Sequence, residues 1–102
     1  MQRTFSENAK GAAFDAQTIA AVWSKATAVS GNDPAVYRKD RCGAWIKRSD
    51  YGTTGKYGWE IDHIVPISIG GTDVLSDLQP LHWENNRGKS DNYPEWTCAV
   101  TG

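Results

Sequence analysis

The spacing of apolar positions along the chain predicts its elements in turn. Ile19, Val22, Trp23 and Ala26 recur at i, i+3, i+4 and i+7, which predicts an amphipathic helix opening at Asp15 as N-cap and ending before the turn cluster Ser30-Gly31-Asn32-Asp33-Pro34. Val36–Lys39 and Ala44–Lys47 read as short strands about a bend at Asp40-Arg41-Cys42-Gly43. Trp59–Val65 is β-branched and aromatic enough for a third strand, ended by Pro66, and Leu78–Leu81 reads as its returning partner beyond the Gly70-Gly71-Thr72-Asp73 loop. Trp83–Lys89 is long enough for about two helical turns. Residues 1–14 read as a frayed arm with a short helical piece, 49–58 as a flexible loop, and 91–100 as a tail that packs back. Trp23 is expected to be buried, and Trp59, Trp83 and Trp96 to contribute to the core, because a small domain needs large apolar residues to close.

Chemistry concentrates in the second half. Asp62 and His63 are adjacent, and His82 and Asn86 follow at a spacing of i, i+4. Carboxylate oxygen, imidazole nitrogen and amide oxygen suit a hard or borderline divalent ion and, with no thiolate beside them, do not favour a closed zinc site. His63 is then available as a base, since an ordinary imidazole is neutral just above pH 7. Strict strand alternation would send Asp62 and His63 to opposite faces, so both reach one cleft only if the strand twists or bulges.

The stretch WEIDHIVPISIGGTDVLSDLQPLHWENNRGK resembles the HNH, or ββα-metal, nucleases. The carriers are the pair Asp62-His63, the glycines Gly70-Gly71, the segment Leu75-Ser76-Asp77-Leu78-Gln79 and the final Asn86-Arg87-Gly88-Lys89, in the family's order and spacing. The resemblance implies an α+β fold with a ββα-metal motif over residues 57–91, flanked by an N-terminal helix and short antiparallel strands. It implies a DNA endonuclease with His63 as general base and one divalent ion, Mn²⁺ or Mg²⁺, on Asp62, His82 and Asn86. Asp77 stands where the family has its central asparagine and is expected to brace the loop, and the zinc-binding cysteine pairs of many members are absent. Arg87 and Lys89 would hold flanking phosphates. The competing reading is a non-catalytic nucleic-acid-binding module on the same scaffold.

Length and charge refine this picture. The 102 residues make one domain, with no apolar run of membrane length and no charged-then-apolar leader at Met1-Gln2-Arg3-Thr4, so a cytoplasmic monomer that nicks DNA is the expectation. Cys42 and Cys98 lie far apart without a C-x-x-C and are expected to be separate thiols in a reducing compartment. A net charge of −1 argues at first against a nucleic-acid partner. Its distribution reverses that judgement. Arg38, Lys39, Arg41, Lys47, Arg48 and Lys56 face only Asp40 and Asp50 across residues 38–56, so Arg38, Lys39, Arg41, Lys47 and Arg48 are expected to grip phosphates. Residues 60–84 hold Glu60, Asp62, Asp73, Asp77 and Glu84 and no Lys or Arg, so a phosphodiester would meet them only across a bound cation.

Overall fold

In the computed structural model, which describes residues 6–102, the chain runs through α1 (Ala16–Trp23), β1 (Tyr37–Lys39), β2 (Trp45–Lys47), β3 (Trp59–His63), β4 (Leu78–His82) and α2 (Trp83–Lys89). The fold is α+β: two helices and two antiparallel two-stranded sheets, β1 with β2 and β3 with β4. No helix among the described residues is long and apolar enough to cross a membrane.

Asp15 caps α1 by accepting the Thr18 N–H at 2.7 Å. The helix ends at Trp23, short of the turn cluster, because the chain beyond it is claimed by β1. Thr27 exchanges both backbone hydrogen bonds with Lys39, and the Arg38 guanidinium takes the carbonyls of Ser24 and Ala26 at 3.3 and 3.0 Å. Val22, Trp23 and Ala26 are buried, with Ile19 packed against them.

The β3/β4 hairpin is buried on both faces. One face carries Trp59 and Ile61 and closes on Phe14, Val22, Trp23, Ala26, Ile46 and Leu78. Trp59 is fully buried, with ring centroids 5.3 Å from Trp23 and 4.9 Å from Tyr51. Trp83 and Trp96 are only half-buried, so the core rests on Trp23 and Trp59. Pro80 sits mid-strand opposite Ile61, and Ile61 sends its N–H outward to Ser6 Oγ at 2.8 Å. That pair is therefore one in which neither nitrogen faces the partner strand, the register at which a proline removes no ladder bond.

Two expectations are corrected here. The described part of the N-terminal arm is not frayed: Ser6 binds β3 and the Tyr51 hydroxyl, and residues 7–13 fold back through an Asn8 turn. Its residues 1–5 lie outside the described residues. Cys42 and Cys98 form a disulfide rather than two separate thiols. Asn85 explains how the tail reaches that bond: its Oδ1 accepts the N–H groups of Ala99 and Val100 at 2.7 and 2.8 Å, while its Nδ2 donates to Asp40 and to the Val100 carbonyl. Asp40 begins the turn that carries Cys42. A bond closing a loop of this size stabilises a chain by about 2–4 kcal/mol. The reducing compartment assumed for the thiols is not supported.

Candidate active site

Strand β3 is regular, without a bulge, and pairs Trp59 with His82, Glu60 with Leu81, Asp62 with Gln79 and His63 with Leu78. Alternation therefore divides the chemistry between two faces. Glu60 and Asp62 point to the face covered by α2, and His63 to the face shared with Phe14, whose ring centroid is 6.0 Å away.

On the first face, residues of α2 meet the acids in order. Asn86 donates to Glu60 Oε1 at 2.9 Å and Arg87 to Glu60 Oε2 at 3.0 Å. Lys89 places its ammonium 3.3 Å from Asp62 Oδ2 and 3.0 Å from the His63 carbonyl, and the Gln79 amide donates to Asp62 at 2.9 Å. Asp62 and Lys89 have side-chain exposures of 0% and 1%. Two carboxylates thus meet two cations, so two of the five acids of the 60–84 segment are neutralised inside the fold. The charge count along the sequence could not show this, since the partners lie just past its end.

On the second face, His63 Nε2 lies 2.8 Å from Asp73 Oδ1. A carboxylate can only accept, so Nε2 carries the proton and Nδ1 is the nitrogen able to take another. Both Asp73 oxygens accept the Ala9 N–H at 3.0 Å. Partial burial pushes the Asp73 carboxyl up, but the His63 and Ala9 hydrogen bonds and the charges of His63 and Lys10 outweigh it and hold it below the usual carboxylate range. Asp77 spans the loop from below, accepting the N–H groups of Val65 at 2.8 Å and Thr72 at 3.3 Å. Gly71 is required there, because a Cβ would stand 1.7 Å from the Val65 carbonyl oxygen.

Several expected assignments change. His82 does not join Asp62 and Asn86: as the register partner of Trp59 it lies on the other face. Its Nδ1 accepts the Glu84 N–H at 3.1 Å and caps α2, and Nε2 donates to the Lys56 carbonyl at 2.9 Å, so both nitrogens are spent. Lys89 is buried and cannot reach a phosphate; Arg87 is partly exposed but salt-bridged to Glu60. Arg38 is tied to three backbone carbonyls, those of Ser24, Ala26 and Pro34. Lys39 and Lys47 lie over the Trp45 and Tyr37 rings, Arg41 lies over Trp96, and Arg48 is half-buried.

Among the described residues, no three of His, Cys, Asp and Glu converge to hold a metal ion. What β3 and α2 do offer is carboxylate and amide oxygen, from Asp62 and Asn86 with Glu60 beside them. Oxygen donors of this kind suit a hard ion such as Mg²⁺, and all three side chains are buried, with Asp62 ion-paired to Lys89 and Glu60 to Arg87. Glu60 and Asp73 were not singled out in the sequence. Glu60 was legible in principle, at i, i+2 from Asp62 on one strand, whereas Asp73 reaches His63 only through the loop's path.

The HNH endonuclease family model matches residues 40–92, more than half of the chain and the whole of the β3–β4–α2 unit. Neither the curated proteins nor the solved structures contain a match.

Two expectations follow from the charges. Lys89→Met removes the cation from a fully buried carboxylate and is expected to cost about 3–5 kcal/mol in urea unfolding, with much of the loss recovered in Lys89→Met/Asp62→Leu; a single variant as stable as wild type would show that the pair does not form. Because the folded-state pKa of Asp73 is depressed, its contribution is complete above about pH 4 and fades as pH falls through the lowered value. Asp73→Asn should therefore flatten the acid limb of stability against pH, and an unchanged limb would contradict the tether.

Proposed function

Because this chain belongs to the HNH endonuclease family, whose members act on DNA and generally use a divalent metal, we propose that it hydrolyses DNA phosphodiester bonds with His63 as general base. The observation that carries the reading is the His63–Asp73 hydrogen bond, which holds the ring by Nε2 and assigns proton uptake to Nδ1. Attack on phosphorus needs a water deprotonated as it adds, and a neutral imidazole supplies that without leaving charge in the cleft beforehand. The imidazolium that forms is stabilised by the Asp73 carboxylate at 2.8 Å, as in other carboxylate-oriented histidine bases.

Asp62 and Asn86 would hold the ion, Mg²⁺ or Mn²⁺, with Glu60 fixing Asn86 through its amide nitrogen. When bound, such an ion supplies positive charge where the leaving 3′ oxygen becomes anionic. Lys89 positions both halves of the site, since its ammonium bridges the Asp62 carboxylate and the His63 backbone carbonyl. His82 has no part in the chemistry. We take the chain to act as a single-domain monomer with one such site, which cuts one strand, giving a nick with 5′ phosphate and 3′ hydroxyl ends.

A second reading is favoured by one observation. Lys89 already supplies a cation at Asp62, as expected of a scaffold that binds DNA and does not cut it. The two separate in a supercoiled-plasmid assay with Mg²⁺ or Mn²⁺ titrated in. The nuclease reading expects relaxation to the nicked circle and a loss of about 10²–10⁴-fold in rate for His63→Ala, with the fold retained. A plasmid shifted in mobility but never relaxed, or full activity in His63→Ala, would reject it.

A further inference from the structure

The β1/β2 hairpin carries a surface that the hydrolytic site does not use. Its register pairs Tyr37 with Lys47 and Lys39 with Trp45, so these four side chains share one face, while Ile46 turns inward to the core. All four are half-buried. Lys39 Nζ lies 4.8 Å from the Trp45 ring centroid and Lys47 Nζ 5.8 Å from that of Tyr37. A third pair extends the row: Tyr57 stands edge-on to Tyr37 at 5.6 Å, with Lys56 Nζ 5.5 Å from its own ring. Tyr37 and Trp45 also meet edge-on, at 6.4 Å and 86°, so the three rings do not stack on one another.

The row ends in a cleft of about 400 Å³ bordered by Trp45, Lys56, Tyr57, His82 and Glu84, a volume in the range of small-ligand sites. His82 shapes its wall by holding the Lys56 carbonyl. Among the described residues, Glu84 is the one acidic side chain on that lining.

We propose that this face binds single-stranded DNA, the bases lying on Trp45, Tyr37 and Tyr57 and the phosphates meeting Lys39, Lys47 and Lys56. The pattern of rings alternating with ammonium groups suits that ligand for three reasons. Every unpaired base has an open π-face, whereas bases inside a duplex have theirs covered by neighbours. A half-buried surface lysine over a ring is held only weakly by it, so its ammonium turns to a phosphate when a base replaces it. Lys39 and Lys47 on the hairpin and Lys56 beside it place three positive charges along the row, which complement a phosphate backbone. The choice of DNA over RNA rests on the nuclease reading, and the inference deepens that reading by making the substrate one with an unpaired stretch.

Fluorescence-anisotropy titrations with a labelled dT oligomer and a blunt duplex of equal length, in EDTA so that neither is cut, test the proposal. Trp45→Ala is expected to weaken dT binding about tenfold or more and duplex binding less than twofold, with Trp45→Phe within threefold of wild type. Lys39→Gln/Lys47→Gln, which leaves the rings in place, should lower the salt dependence of dT binding by between one and two phosphate contacts. The proposal is overturned if wild-type protein does not bind dT, if Trp45→Ala weakens both ligands equally or neither, if the lysine pair leaves the salt dependence unchanged, or if a U oligomer binds more tightly than dT. Protein that binds dT through Trp45 yet nicks no plasmid supports this inference and removes the nuclease reading. Protein that nicks plasmid but binds dT independently of Trp45 overturns this inference alone.

Discussion

Consecutive residues of an extended strand cannot share a face, and that constraint organises everything around β3. Asp62 is committed to the side on which α2 lies and His63 to the side closed by the loop, with no bulge to bring them together. Each then needs its own support. Asp62 is met by Lys89 and Gln79, and His63 by Asp73, itself held by the Ala9 backbone. The two supports are joined through Lys89, whose ammonium also binds the His63 carbonyl. A single buried lysine thus links the two faces through the peptide between them.

Burying a carboxylate is costly unless a cation and hydrogen bonds accompany it, and the pair then contributes less to net stability than to fixing one arrangement. In this protein the arrangement fixed is the placement of α2 over β3. Arg87 and Asn86 on Glu60, and Lys89 on Asp62, match a helix to a strand at two points, so that sliding the helix by one residue would strand both acids. The apolar face has the opposite character. Trp59 packs between Trp23 and Tyr51, with its indole N–H directed at the Arg48 carbonyl, and supplies mainly burial. The hairpin is stabilised on one side by area and specified on the other by charge.

What the sequence made legible was local. The apolar spacing around Val22 and Trp23, the proline after β3, the paired glycines and the length of α2 all report on backbone within a turn or two of themselves, and the elements lie there, except that α1 stops at Trp23, three residues before the last apolar position of its period. Residue types suited to hydrolysis were legible too, because Asp62-His63 and Asn86 fall in a spaced pattern. Partnerships across the fold were not. Lys89 reads as a surface cation at a helix end until the helix is seen to lie on Asp62, and His82 reads as a ligand until its register with Trp59 turns it away. Cys42 and Cys98 are 56 residues apart, and only the tail's course along Asn85 brings them together. Each of these depends on three-dimensional register, which spacing along a chain does not encode.

The proposed chemistry requires that Asp73 hold His63 by Nε2 and leave Nδ1 to take the proton. With only two histidines in the chain, the ¹⁵N spectrum of histidine-labelled protein, recorded where both rings are neutral, reads this directly. His63 is expected to carry its proton on Nε2, with Nδ1 at the shift of an unprotonated nitrogen, and Asp73→Asn to disturb that ring while leaving His82 unchanged. A His63 ring protonated on Nδ1, or one indifferent to Asp73→Asn, would contradict that chemistry.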